Sequence, residues 1–177
     1  MIILVAVPEP LRSRILSPEA HQQLLALGEV RWNNDGRNWN GSELAERLGG
    51  VEGLLTGWGI TQLDESVLAG ADALRIIGHS AGSVKGFLTP AVFDRGIIVT
   101  HAASRIADSV AEFALTMALV GLKRPDLFST QMHAGMAWEQ NSNVPLHEIA
   151  GRKVGILGCG YVGQRSVRLF KAVGADV

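Results

Sequence analysis

Six short apolar runs, rich in Val and Ile, punctuate this chain and leave it few folds to choose from. They fall at Ile2–Val7, Val30–Trp32, Val51–Thr56, Leu74–Gly78, Ile97–Thr100 and Lys153–Leu157. Each is too short for a helix and is bounded by Gly, Pro or polar residues, so we read them as strands. Helix punctuation lies between them. Ser17 is placed as an N-cap, with Pro18 at the first helical position and Gly28 past the end, and Thr89, Pro90 and Gly96 repeat that arrangement. Asp64 and the Asn40-to-Glu43 spacing mark two further starts. Strand and helix alternating through residue 100 is the pattern of a parallel sheet, because parallel neighbours need a crossover connection and a helix is the usual one. Five such strands predict an α/β, flavodoxin-like domain.

The charge balance narrows the partners. Sixteen Lys and Arg stand against seventeen Asp and Glu, which leaves no basic excess to pair with a phosphate backbone, so nucleic acid is not expected as a partner. The most apolar run, Phe113 to Leu122, is about half the roughly 20 residues that a bilayer crossing needs, so no membrane span is expected. The segment Met1–Val7 has neither a charged region before it nor a small-residue cleavage site after it, so it reads as a strand and not as a signal peptide. The one cysteine, Cys159, cannot pair within the chain, which agrees with a reducing, cytoplasmic location.

Beyond residue 101 the character changes. Ser109-Val110-Ala111-Glu112 has capping-box spacing and is expected to open a helix to about Lys123. Phe113, Ala114, Leu115, Met117, Ala118, Leu119, Val120 and Leu122 leave that helix almost no polar face, so it should be buried on most sides. Pro125 breaks it, Asp126 to about Met132 form a further turn or two, and Gly135 to Pro145 read as a connecting loop. The domains expected are 1–101, then a helix and connector over 102–150, then a new domain opening at 151–177.

That last segment holds Gly158-Cys159-Gly160-Tyr161-Val162-Gly163, the glycine spacing of a dinucleotide-binding turn. With 21 glycines in 177 residues, chance supplies about 0.3 such matches, so context must decide. Val154-Gly155-Ile156-Leu157 reads as a buried strand directly before the loop. Val162 to Val173 reads as a helix, with Val162, Leu169, Phe170 and Val173 on one side and Gly174 at its stop. An anion would then meet free amides at a helix N-terminus; the competing reading is a Gly-rich structural turn. Gly158, Gly160, Tyr161, Val162 and Gly163 are the cofactor-binding candidates. Asp176 follows Gly174 so closely that it starts the next strand, on the edge away from the nucleotide, and is not the ribose-binding acid. One strand and one helix cannot enclose a dinucleotide, so the chain is expected to be a fragment that stops within a Rossmann domain.

From about Leu54 onward the chain resembles the D-isomer-specific 2-hydroxyacid dehydrogenase family. Leu74-Arg75-Ile76-Ile77-Gly78-His79-Ser80-Ala81-Gly82-Ser83-Val84 resembles its substrate loop, and Gly96-Ile97-Ile98-Val99-Thr100-His101-Ala102 the strand leading out of its substrate domain. Val110-Ala111-Glu112 resembles the opening of its interdomain, dimer-forming helix, and Gly151 to Gly163 its cofactor signature. The order and spacing of the four blocks agree as well as their letters. The resemblance implies hydride transfer between NAD, or NADP, and C2 of a 2-hydroxy or 2-oxo acid in a cleft between two domains, in a homodimer joined through residues 109–123. It also implies a carboxylate held by backbone amides of Ser80, Ala81, Gly82 and Ser83. That is physically sensible, because small residues at a strand's carboxyl end let successive N–H groups converge on an anion. An ordinary strand-to-helix turn is the other reading of those four. The family's catalytic His, its carboxylate partner and its substrate Arg fall beyond residue 177, so no catalytic residue is named and the chain by itself is expected to be inactive.

Other residues invite roles. His79 and His101 follow adjacent strands; no carboxylate is placed to orient either as an acid–base group, so both are read as polar residues lining the cleft. The family usually has Asn at position 101. His21, His133 and His147 show no ligand spacing, so no metal site is expected. Trp58 either contacts substrate or simply packs. Cys159 is either activated by the helix N-terminus or filler at a variable position. The alternative to an enzyme is a non-catalytic remnant acting as a dimerisation or nucleotide- or ligand-sensing module.

Overall fold

Five of the six runs pair into one parallel sheet. In the computed structural model, which describes residues 1–137 and 144–177, they form β1 (Ile2–Val5), β2 (Glu29–Trp32), β3 (Gly53–Thr56), β4 (Ile76–His79) and β5 (Ile98–His101). The spatial order is β2-β1-β3-β4-β5 with every neighbour parallel, the flavodoxin-like arrangement. Helices α1 (Leu11–Ile15), α2 (Pro18–Leu27), α3 (Gly41–Ala45), α4 (Glu65–Leu68) and α5 (Pro90–Asp94) connect these strands, and α6 (Ala103–Lys123), α7 (Pro125–His133) and α8 (Tyr161–Ala172) follow. The chain divides into two units, Met1–Ala103 and Ser104–Val177.

In the first unit the central strand shows why its run is continuously apolar. Leu4 and Ala6 enter a core with Leu44, Leu48, Val67, Leu68 and Val92 from the α3–α5 side. Ile3, Val5 and Val7 enter a second core against Leu11, Ile15 and Leu24 of α1 and α2. A strand covered on both faces has no polar side to spare. The caps lie where the sequence places them. The Ser17 hydroxyl accepts from the Ala20 amide, with Pro18 at the first helical position and Gly28 as C-cap; Asp64 caps the Val67 amide; and Asn40 and Glu43 form a complete capping box. Thr89 precedes α5 as expected, but its hydroxyl donates to the Leu63 carbonyl at 2.6 Å instead of capping its own helix.

In the second unit three expectations need correction. First, α6 begins at Ala103, six residues ahead of the Ser109 capping box. The Ala103 amide donates to Nδ1 of His101 at 3.2 Å, so the helix already has a start, and Ser109 lies exposed within it. Second, α6 is not buried on most sides. Ala107 and Ala111 are its buried residues, whereas Val110, Phe113 and Met117 are 43%, 65% and 49% exposed. Third, Lys153–Leu157 is not a buried strand. The Val154 amide donates to the Asp176 carbonyl and the Asp176 amide to Arg152, a single bridge of Lys153 with Asp176. No ladder continues past Val154 among the described residues, Gly155 and Leu157 are exposed, and Val154 and Ile156 are half-buried.

After α6, Arg124 takes a left-handed conformation (φ 49°) and Pro125 opens α7, as the proline requires. Residues 138–143 of the connecting loop expected over Gly135–Pro145 lie outside the described residues. None of the described helices is long and apolar enough to cross a membrane.

Candidate functional site

The first unit carries one candidate, at the carboxyl ends of β3, β4 and β5. Thr56, His79 and His101 are register partners across these strands, a polar row at their carboxyl ends. The Thr56 carbonyl accepts both the Ser80 amide at 2.9 Å and the Ser80 hydroxyl at 2.8 Å. The loop is fastened at its far side by the Ala102 amide, which donates to the carbonyls of His79 and Ala81 at 3.1 and 3.0 Å. The Ser80 amide is thus already used, and the free donors begin one residue later: among the described residues the amides of Ala81, Gly82 and Ser83 donate no hydrogen bond. Three successive unused amides on a pinned loop are suited to an anion.

The two histidines separate. His79 is 5% exposed. Its ring packs on Phe87 at 4.7 Å and its Nδ1 meets the Thr56 hydroxyl at 2.9 Å. Burial, and after it the neighbouring His101, pushes its pKa below the ordinary imidazole value, so His79 is a neutral ring at pH 7. His101 is exposed, with Nδ1 occupied by the Ala103 amide, which leaves its Nε2 as the nitrogen available to other groups. Trp58, on the turn after β3, is 56% exposed, and its carbonyl is held by Asn38 at 3.2 Å.

The second unit carries the other candidate. Gly158 has φ +90°, a left-handed conformation that turns the chain sharply out of Lys153–Leu157. Gly160 is the N-cap residue of α8. At Gly163 a Cβ would lie 2.1 Å from the Gly158 carbonyl oxygen, so helix and turn approach so closely that no side chain fits between them. Gly158 and Gly160, in contrast, have open space where a Cβ would stand. Among the described residues the amides of Gly158, Gly160, Tyr161, Val162 and Gly163 have no acceptor, as the first amides of a helix must without a capping side chain. The turn is braced by Gln164, whose Nε2 donates to the Cys159 carbonyl at 3.1 Å. A diphosphate fits such a cradle: open at the approach, lined by donors, and at the positive end of a twelve-residue helix.

The remaining sequence candidates resolve individually. Cys159 is a free, exposed thiol. Val162 is 37% exposed and not on the packed side of α8, which consists of Gly163, Ser166 and Phe170. Asp176 pairs with Lys153, at the end of that segment away from the glycine turn. His21 stacks on Trp32 at 4.7 Å, His133 Nδ1 lies 2.8 Å from the Ser129 carbonyl, and His147 Nδ1 accepts from Arg152 at 2.8 Å. Among the described residues no three His, Cys, Asp or Glu side chains gather as a metal site. Two contributors escaped the sequence reading, Thr56 and Arg165. Thr56 meets His79, 23 residues on, and Arg165 reaches Asp108 and Ser104, 57 and 61 residues back, so no local spacing announces these contacts.

Residues 115–177 match the family profile described as D-isomer specific 2-hydroxyacid dehydrogenase, NAD binding domain. The chain is 27% identical over 135 residues to a D-3-phosphoglycerate dehydrogenase of Methanocaldococcus jannaschii, covering 76% of this chain and 25% of that enzyme. It is 29% identical over 144 residues to a glyoxylate reductase of Thermococcus gammatolerans, covering 76% of this chain and 41% of that one. Its fold is similar to that of a D-lactate dehydrogenase from Aquifex aeolicus solved with NAD and lactic acid, with a TM-score of 0.73, 20% identity, and coverage of 99% of this chain and 49% of that structure. The chain thus spans less than half the length of each of these relatives.

Proposed function

Because the chain belongs to the D-isomer-specific 2-hydroxyacid dehydrogenase family, we propose that it serves an NAD(P)-dependent oxidoreductase acting on a small 2-hydroxy or 2-oxo acid. The observation that carries this reading is the row of unused amides from Gly158 to Gly163, on a turn closed tightly enough to require Gly163, within the residues that match the NAD-binding profile. In this reading those amides hold the cofactor's diphosphate. The nicotinamide, when bound, supplies or accepts the hydride exchanged with C2 of the acid. The amides of Ala81, Gly82 and Ser83 hold the substrate carboxylate, and Ser80 contributes by fixing the loop to Thr56.

The organisation proposed is a substrate domain over 1–101, a helix and connector over 102–150, and the opening of a Rossmann domain over 151–177. The exposed ridge of Val110, Phe113 and Met117 supports a homodimer formed through residues 109–123. A reducing, cytoplasmic setting belongs to the same reading, and the lone thiol of Cys159 agrees with it. In this reading the family's proton donor and its substrate-binding Arg are not among these residues. The 177-residue chain by itself is therefore expected not to turn the nicotinamide over, since hydride transfer requires both groups in position.

Titration of the full-length protein with NADH and NADPH, followed by nicotinamide fluorescence, tests this reading. The substitution Gly160→Asp is a sharp control, because Asp is a good N-cap and keeps α8, while its charge meets the diphosphate head-on. Saturable binding lost in G160D is expected. No binding of either nucleotide by the unaltered full-length protein contradicts the reading, and nicotinamide oxidation by the 177-residue chain alone contradicts its expected inactivity.

A further inference from the structure

The amino end of α8 is tied to α6 by the side chain of Arg165. Of the twelve residues of this helix, the buried ones are Gly163, Ser166 and Phe170, so only the third turn offers a large side chain to interlock with its surroundings. Over the first two turns apolar packing does little to fix the helix along or about its axis. Arg165 supplies what packing does not. Its Nη2 donates to the Ser104 carbonyl at 2.8 Å and its Nε to Oδ1 of Asp108, both on α6. Its Nη1 donates to the Tyr161 carbonyl at 3.0 Å, on the first residue of α8. A planar guanidinium has the donors, in fixed directions, to make all three contacts at once. The side chain is 21% exposed and Asp108 58%, so the pair lies at the margin of the unit with its contacts largely made inward.

We propose that Arg165 is a positioning residue of the dinucleotide site. By tying the first turn of α8 to the first two turns of α6, it sets where the amides of Tyr161, Val162 and Gly163 point. Recognition of a diphosphate by converging amides is steep in position, so a helix free to slide or roll by about an ångström would lose affinity while remaining a helix. This role rests on the nucleotide reading above and adds to it a side chain that never touches the cofactor.

The test uses the full-length protein with Arg165→Gln, Arg165→Lys and, as a control for general loosening, Val167→Ala, which trims a half-buried side chain of α8 and leaves all three contacts of Arg165 in place. NADH affinity is measured for each, together with thermal midpoint and amide exchange over residues 161–168. The expected result is a weakening of NADH binding by about five- to tenfold in R165Q, an intermediate loss in R165K, which keeps the charge but has one nitrogen for three acceptors, and little change in V167A at a comparable shift in midpoint. Faster exchange confined to the first two turns of α8 accompanies the loss in R165Q. Affinity in R165Q within twofold of the unaltered chain, or a loss that V167A matches, overturns the role of Arg165 and leaves the nucleotide reading standing. If the unaltered full-length protein binds no NADH, the nucleotide reading itself falls and this role falls with it, whatever the exchange shows.

Discussion

The Thr56 hydroxyl and Nδ1 of His79 lie 2.9 Å apart, and both residues are buried, at 0% and 5% exposure. The pair sits directly beneath the loop whose amides are proposed to hold the substrate carboxylate, because the Thr56 backbone carbonyl carries Ser80. Replacing Thr56 with Val keeps the shape of the side chain but leaves the imidazole nitrogen without a partner in a site that water does not reach. The expected cost is about 1–3 kcal/mol, read from urea unfolding. A loss below about 0.5 kcal/mol would mean that the hydroxyl contributes nothing net to the fold.

The same burial fixes the direction of a pH effect. His79 is held below its ordinary value of 6.5 by desolvation and, secondarily, by the charge of His101. Between that lowered value and 6.5 the unfolded chain binds more protons than the folded one, so stability rises with pH through this window and is lost as the pH falls. Unfolding free energies measured from about pH 5 to 7 should therefore slope upward, and less steeply in His79→Asn, which retains a polar group toward Thr56 but does not titrate. Equal slopes in the two proteins would remove His79 as the source.

Gly160 and Gly163 differ in what they are for. A Cβ at Gly163 would fall 2.1 Å from the Gly158 carbonyl oxygen, whereas at Gly160 it would meet nothing within 4 Å. Gly163→Ala must push α8 off the turn, so both stability and NADH affinity should fall, the former by about 1–3 kcal/mol. Gly160→Ala, at an unstrained φ of −76°, should leave the thermal midpoint almost unchanged and weaken NADH binding alone, because the methyl group stands where the diphosphate approaches. If G163A bound NADH normally, the close approach of helix and turn would have no bearing on the site.

The sheet was legible because its signals are local. Alternate residues of Ile2–Val7 serve two cores, and each cap acts within three residues, as Asn40 does with Glu43. Where the sequence misled, the decisive contact was remote or the pattern ambiguous. Ser109 has the right spacing for a helix start, but α6 begins at Ala103, where His101 accepts the first amide, and a histidine is not among the residues that announce a cap. Val154 to Leu157 has the composition of a buried strand, yet burial depends on neighbours, and its one bridge is to Asp176. Ser80 resembles its loop neighbours in size and polarity, and only the fold shows that its amide is spent on Thr56.

The apolar character of α6 was plain in the sequence, while its exposure was not, and the two together make a prediction about association. Val110, Phe113 and Met117 recur at i, i+3 and i+7 and stand 43%, 65% and 49% exposed, so they form a ridge that contributes little to the unit's own core. Substituting Phe113→Glu and Met117→Lys should therefore leave the thermal midpoint of the separated chains nearly unchanged. If the ridge joins two copies, each substitution instead buries a charge where a large apolar group had packed. Two such changes at about 1.5–2 kcal/mol each would raise the dimer dissociation constant by a hundredfold or more. Sedimentation equilibrium of the unaltered chain and the double variant reads this directly, with Arg105→Gln, on the exposed side of the first turn of α6, as the neutral control. An unaltered chain that sediments as a monomer at micromolar concentration would show that this ridge has some other occupant, or none.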